Sequence, residues 1–227
     1  ISQSQNKWQS REGSGFGGFG FYADVVRSSG DTYAALFYRN ISYDNSADGI
    51  HFTRSRDLYL AQNLIYGNTL GVNLSNTAVT ADASYHTVIK NNLIAVPPAF
   101  SSKADVVGVS VALNSADRSR LTLDGNSYGL LANSFAVRTN DLNGSNRKTW
   151  NTLLQVQQAA LVWEVHGTSV EPFSFVHTSD QTISLQSVPG MNSLLTSGMP
   201  AEIVSVKKIL EQSLGVTIND SMIVGKQ

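Results

Sequence analysis

The sequence predicts an all-β solenoid, a right-handed parallel β-helix whose C-terminal part contains short helices. Two observations support this prediction. The phrase "Asn, apolar, x, Tyr, x, Asn" occurs at residues 40–45 and again at 63–68, an offset of 23 residues. Short segments with alternating apolar residues, most of them led by glycine, recur along the same part of the chain. Such a repeat indicates a solenoid because one coil cannot bury its apolar side alone.

An asparagine recurs in each copy of the repeat. Asn40, Asn63, Asn92 and Asn126 are predicted to be equivalent, at spacings of 23, 29 and 34 residues. An asparagine amide can bond to its counterpart in the next coil, and asparagine tolerates the left-handed backbone conformation. We therefore expect two short strands per coil with asparagine at the bend. The alternative is an antiparallel sandwich with chance similarity, which would suit the strand lengths and turn spacing.

The glycine-led strands predict which side chains face outward. These strands lie at 20–25, 49–53, 71–75 and 108–113, and a related one lies at 134–138. Alternation along each strand puts Phe21, Ile50, Val72 and Val109 inside. It leaves outside the polar or aromatic residues Tyr22, Asp24, His51, Thr53, Asn73, Ser75 and Ser110. The sequence therefore predicts a polar face that runs across successive coils.

Three regions are expected along the chain. Residues 1–19 form an N-terminal segment, which we read as a remnant of upstream coils or a place where a partner chain completes the β-helix. Residues 20–140 form the parallel β-helix, with 77–85 and 96–107 as insertions that leave it as loops. Residues 141–227 form a C-terminal capping region with two helices, because an open sheet end needs covering. An interface for another chain is the alternative for this region.

The C-terminal helices have separate signals. One is predicted over 147–164, with Thr149 as its N-cap. The other is predicted to begin after Pro200, with an apolar stripe that includes Ile203 and Ile209. Short strands are expected at 173–176 and 182–185.

Composition excludes several classes of function. The net charge is −1, so no broad basic surface for nucleic acid is expected. Cysteine is absent, which excludes disulfides, thiolate metal sites and a cysteine nucleophile. We expect no membrane span, since no segment is long and apolar enough.

Residues 20–26, 40–52, 63–74 and 90–95 together resemble the pectate-lyase-like superfamily of right-handed parallel β-helices. They are most similar to the lineage that contains family 9 polysaccharide lyases and related β-helix glycosidases. The resemblance covers residues 15–140 and implies a secreted or periplasmic protein that acts on polysaccharides. The lyases of this lineage carry an Asp-Asp-Gly-x-Asp calcium motif, of which residues 47–51 keep only Asp48. Their lysine base falls at Asn73. No cofactor is therefore predicted, with calcium left open, and no metal ligands are assigned.

The polar face is the predicted site. Asp24, Asp48 and His51 are the candidate catalytic residues, because carboxylates and imidazole serve as acids, bases or nucleophiles.

The candidate substrate-binding residues are those expected to bond sugar hydroxyls, stack on a sugar ring or pair with uronate carboxylates. They are Tyr22, Thr53, Arg54, Arg56, Asn73 and Ser75.

Each of these residues also has a simpler interpretation. Asp24 and Asp48 suit ordinary turn contacts, His51 suits a stacked surface position, and the two arginines suit a solvated edge. We favour an enzyme, a polysaccharide lyase or glycoside hydrolase that binds a polysaccharide or oligosaccharide. The alternative is a non-catalytic glycan-binding or assembly module of a larger extracellular protein.

Overall fold

We analysed the protein as a computed structural model. The structure describes residues 18–24, 26, 33–75, 86–98, 105–112, 119–141, 145–173 and 201–217. The chain divides into two compact units, Ile1–Ser174 and Phe175–Gln227, which are treated separately below.

The first unit is built mainly from three parallel sheets, and up to Asn140 every third strand along the chain returns to the same sheet. The first sheet contains β1 (Phe21–Asp24), β4 (Asp48–Thr53), β7 (Leu70–Ser75), β10 (Val107–Ala112) and β13 (Phe135–Asn140). The second sheet contains β2 (Ala35–Tyr38), β5 (Leu58–Ala61), β8 (Thr87–Lys90) and β11 (Leu121–Asp124). The third sheet contains β3 (Ile41–Tyr43), β6 (Leu64–Tyr66), β9 (Leu93–Ala95), β12 (Ser127–Gly129) and β15 (Thr168–Ser169). The mainly β, parallel character predicted from the repeat is therefore confirmed.

Each repeat contributes three strands, so the prediction of two was wrong. The corner at each asparagine separates a strand of the second sheet from one of the third. The residue that adopts the left-handed conformation is the one before the asparagine: Arg39, Gln62, Asn91 and Gly125 have φ of 55°, 54°, 54° and 68°. This left-handed residue ends one strand, and the chain turns into the next sheet.

The predicted stacking of asparagines is confirmed. The side-chain Nδ2 of Asn40, Asn63 and Asn92 donates to Oδ1 of the next asparagine at 3.1, 2.8 and 2.9 Å, and the backbone N–H of each donor residue reaches the same oxygen. We call this row, which ends at Asn126, the asparagine ladder. Asn63, Asn92 and Asn126 are completely buried, and their amides have no access to water. The bonds along the ladder satisfy these buried polar groups instead.

Glu164 ends the asparagine ladder. Its Oε1 accepts from Asn126 Nδ2 at 2.6 Å and from the Tyr128 hydroxyl at 2.6 Å, while Oε2 accepts from the Asn126 backbone N–H at 3.0 Å. Burial raises the pKa of Glu164 to about 7, and the hydrogen bonds from Tyr128 and Asn126 only partly oppose it. Burial also raises the pKa of Tyr128 well above its usual range, with the Glu164 charge adding to the effect.

The core lies between the sheets. Ile50, Val72 and Val109 are fully buried, as predicted, and Phe21 in the first strand is half-buried. The strands approach so closely at Gly71 that a Cβ there would lie 2.4 Å from the Gly108 carbonyl oxygen. Glycine is required at this position because the space is already filled by the neighbouring backbone.

The helix predicted over 147–164 is mostly wrong. Residues Lys148–Trp150 form β14, which pairs antiparallel with β13, and only Leu153–Gln157 form a helix, α1. Thr152, not Thr149, is the N-cap, in a capping box with Gln155. Tertiary contacts outweigh the helical pattern here, since the Trp163 indole N–H donates to the Leu121 carbonyl.

The second unit contains α2 (Ala201–Leu214), which begins directly after Pro200 as predicted. Ile203 is buried, whereas Ile209 is exposed. No helix in the described part of the chain is long and apolar enough to span a membrane. The predicted strands at 173–176 and 182–185 lie outside the described residues except for Phe173, which is not in a strand. Residues 1–17, 77–85 and 99–104 also lie outside them.

Candidate functional site

The outward side chains of β1, β4 and β7 form two polar rows, which we call the polar face. Parallel pairing aligns Tyr22 with His51 and His51 with Asn73. It also aligns Asp24 with Thr53, and Thr53 with Ser75. The predicted arrangement of these residues is therefore confirmed. Neighbouring strands are about 4.8 Å apart, so side chains on adjacent strands contact one another directly.

Two of the three candidate catalytic residues contact each other. Asp48 Oδ2 lies 2.6 Å from His51 Nδ1, and the side chains are only 7% and 12% exposed. The two groups lie within ion-pair distance, but the N–H direction at Nδ1 falls outside hydrogen-bond geometry. Asn73 Nδ2 donates to the same carboxylate oxygen at 2.8 Å. Asp48 is thus held between an imidazole and an amide.

Two hydroxyl groups meet the opposite nitrogen of the same histidine. His51 Nε2 lies 2.6 Å from Ser75 Oγ and 2.9 Å from Thr53 Oγ1, and the two hydroxyl oxygens are 2.8 Å apart. A proton on Nδ1, which faces the carboxylate, leaves Nε2 as a hydrogen-bond acceptor. Asp48, His51 and Ser75 therefore form a continuous acid–imidazole–hydroxyl row.

The third candidate, Asp24, is held differently. Arg54 contacts both of its carboxylate oxygens, one of them through Nε at 2.9 Å. This forked contact pairs the two side chains, and the hydrogen bond and charge of Asp24 raise the pKa of Arg54. Asp24 and Arg54 therefore lie at the edge of the polar face as an ion pair.

The structure places Arg56 away from this surface. Its side chain is 11% exposed and lies 3.4 Å from Asp57 in the turn before β5. Ser110 aligns with Asn73, but it is 3% exposed and accepts from Arg138, so it is covered rather than open.

An aromatic group borders the polar face. Tyr22 is 45% exposed, and its ring centroid lies 5.3 Å from the His51 ring. Phe19 packs at 5.0 Å against His51 and 5.3 Å against Tyr22. Such a ring offers an apolar surface that a sugar can cover.

The described residues contain no group of three or more metal-ligating side chains. At the position of the calcium motif, Asp48 is the one carboxylate, and its Oδ2 already contacts His51 and Asn73. The remaining motif positions are Ala47, Gly49, Ile50 and His51, so the donor set does not suit calcium, which prefers six to eight oxygens.

A cavity of about 520 Å³ lies elsewhere in the first unit, between Trp150 and Leu161. None of the candidate catalytic residues lines it. We place the site on the polar face, because a carboxylate and an imidazole meet there, whereas neither group lines the cavity.

No known family model matches the sequence, and comparison with curated proteins and with solved structures finds no match.

Sequence reasoning assigned Ser75 to substrate binding and did not connect it with His51. The expected pairing of the second and third glycine-led strands already placed the two residues close together. Ser75 lies two residues beyond Asn73, the direct partner of His51, so it is a diagonal neighbour of the imidazole.

Proposed function

We propose that this protein is a right-handed parallel β-helix of the pectate-lyase-like kind that binds a polysaccharide or oligosaccharide along the polar face and cleaves it by hydrolysis. The fold proposal rests on the return of every third strand to the same parallel sheet. Crossovers between parallel strands are right-handed in about 98% of cases. A secreted or periplasmic location belongs to the same proposal.

The contact between Asp48 and His51 beside the exposed ring of Tyr22 carries the functional proposal. The row of polar side chains runs across three neighbouring strands, and the exposed ring supplies a stacking surface. The imidazole and carboxylate supply a group that can accept and return a proton. The paired Arg54 lies nearby and suits an acidic sugar.

Hydrolysis is favoured over elimination. Elimination needs a base at the carbon next to a uronate carboxylate, and the lysine of the related lyases is replaced by Asn73. That amide cannot act as a base, and it donates to Asp48.

A panel of neutral and uronic-acid polysaccharides tests the proposal. Binding is followed by affinity electrophoresis, and cleavage by reducing ends and by absorbance of unsaturated uronate, with and without calcium. We expect retention by at least one glycan and new reducing ends without unsaturated product. Asp48→Asn should abolish cleavage, whereas the matched control Asp124→Asn should not. Asp124 pairs with His166 at 2.8 Å outside the polar face. Unsaturated product would refute hydrolysis, and absence of retention would refute glycan binding.

A non-catalytic glycan-binding or assembly module is the second candidate. Two observations favour it: Arg54 engages both oxygens of Asp24, and Asp48 is 5% exposed. Retention by a glycan without any product, unchanged in Asp48→Asn, would select this function.

A further inference from the structure

We propose that Ser75 is a nucleophile and that the polar face hydrolyses esters, removing acyl groups carried by the glycan. The proposal that a glycan carries the acyl groups rests on the proposed function. The assignment of Ser75 as the nucleophile rests on geometry alone.

The geometry supplies three of the parts that ester hydrolysis by a serine requires. A nucleophilic hydroxyl needs a base within about 2.6–3.2 Å, and the base needs a third group that orients it. Ser75 Oγ lies 2.6 Å from His51 Nε2, and Asp48 Oδ2 lies 2.6 Å from Nδ1. Asn73 holds the carboxylate from its other side at 2.8 Å. These roles are recognised by geometry and recur on unrelated folds.

The surroundings suit the task as well. Asp48 is nearly buried, and its carboxylate is held beside His51 Nδ1 by the contact with Asn73. Ser75 is the last residue of β7 and is partly exposed, so a substrate can reach its hydroxyl. The site thus combines a sheltered base with an accessible hydroxyl.

Ser75, and not Thr53, is the attacking group. Its oxygen is 0.3 Å nearer to Nε2, at 2.6 against 2.9 Å. A primary alcohol is also less crowded than the branched Thr53 hydroxyl. Thr53 lies 2.8 Å from Ser75 Oγ and can donate to it, which leaves the Ser75 proton directed at the imidazole.

The reaction balances with water as the only co-reactant. Ser75 Oγ attacks the acyl carbon as its proton passes to Nε2. The bond from the acyl carbon to the sugar oxygen breaks, and the sugar leaves as an alcohol with that proton. Water then attacks the acyl-serine, gives its proton to Nε2, and releases the carboxylic acid. The proton returns to Ser75 Oγ.

A fluorophosphonate probe and two esters test the inference. The probe labels an activated serine, and peptide mass spectrometry locates it. Acyl release is measured on p-nitrophenyl acetate and on acetylated xylan. We expect labelling at Ser75, and a fall of about 10³-fold or more in both reactions for Ser75→Ala. Ser169→Ala is the matched control, a serine in β15 outside the polar face, and it should change neither.

A second variant covers the case in which Ser75→Ala misfolds. The chain has no cysteine, so Ser75→Cys introduces a single thiol. Activated by His51, this thiol should react with iodoacetamide about tenfold faster than the thiol of Ser169→Cys. Equal rates at the two positions would overturn the inference.

The outcomes separate this inference from the proposed function. Glycan retention without labelling or acyl release overturns the ester hydrolase and leaves glycan binding standing. Labelling at Ser75 with release from p-nitrophenyl acetate, but no glycan retention, supports the nucleophile and refutes the proposed function. Labelling at Thr53 or elsewhere overturns the assignment of Ser75.

Discussion

Replacing Asn92 with alanine tests whether the asparagine ladder stabilises the fold. Asn92 Oδ1 is the acceptor for the buried backbone N–H of Asn63 at 3.0 Å and for the Asn63 amide at 2.8 Å. Alanine removes this acceptor, and with it both hydrogen bonds, from a site without access to water. The amide keeps a second partner, the Phe37 carbonyl at 2.9 Å, whereas the backbone N–H has no other acceptor among the described residues.

The expected loss follows from these contacts. A buried N–H left without an acceptor costs about 1–3 kcal/mol, and one lost hydrogen bond adds about 1 kcal/mol. We therefore expect Asn92→Ala to lower the free energy of unfolding by about 3 kcal/mol. Asn40→Ala is the matched control. Asn40 donates to Asn63 and the Tyr38 carbonyl, but no described group donates to its side-chain oxygen. We expect a loss below about 1 kcal/mol for it, because no buried donor is stranded.

Urea unfolding followed by far-ultraviolet circular dichroism measures both free energies, provided that the slopes against urea agree among the variants. An equal loss in the two variants would refute the reasoning, because of these two residues only Asn92 accepts from the preceding asparagine. A loss below about 1 kcal/mol for Asn92→Ala would refute it too.

Three further predictions concern other parts of the first unit. The raised pKa of Glu164 means that the folded state holds this proton more tightly than the unfolded chain does. The contribution of Glu164 to the free energy of unfolding is therefore fully present below about pH 4.5 and falls by roughly 3 kcal/mol as pH rises to about 7. Urea unfolding across this range should show the slope in the wild type and not in Glu164→Gln, and equal slopes would contradict the burial effect. Gly71→Ala should destabilise by about 3 kcal/mol, since its Cβ would lie 2.4 Å from the Gly108 carbonyl oxygen and 2.6 Å from Ile94 Cγ2; an unchanged urea midpoint would show that the strands can separate. Tyr22→Ala should weaken glycan retention about tenfold in affinity electrophoresis while Tyr22→Phe retains it, and an equal loss in both would indicate a role for the hydroxyl instead of the ring.

The features that repeat along the chain could be predicted from the sequence. The asparagine ladder was predictable because its members recur in the same phrase. The inward position of Ile50 and Val72 was predictable because strand alternation has a period of two. The division into three sheets was missed because the asparagine was the one bend foreseen, whereas the chain turns again at Asp44 and Gly67, which have φ of 50° and 67°.

Features that depend on contacts between distant segments could not be predicted. The helix expected over 147–164 does not form over that length, because residues near its end bond to β11. The Trp163 indole N–H and the backbone N–H of Glu164 make these bonds. Asp48 and His51 were both assigned to the site. Their contact was not foreseen, because residues three apart in a regular strand face opposite sides. Asp48 is the first residue of β4, where that alternation does not yet apply.

The asparagine ladder has a direction. Each amide from Asn40 onward donates toward the next residue, and the series ends on Glu164, whose carboxylate oxygens accept from Asn126. A duplicated repeat inserted before Asn126 would therefore find a donor on one side and an acceptor on the other. A repeat added beyond Glu164 would meet a carboxylate, which offers only acceptors when it is ionised. The number of repeats can thus change within the asparagine ladder, whereas Glu164 ends it.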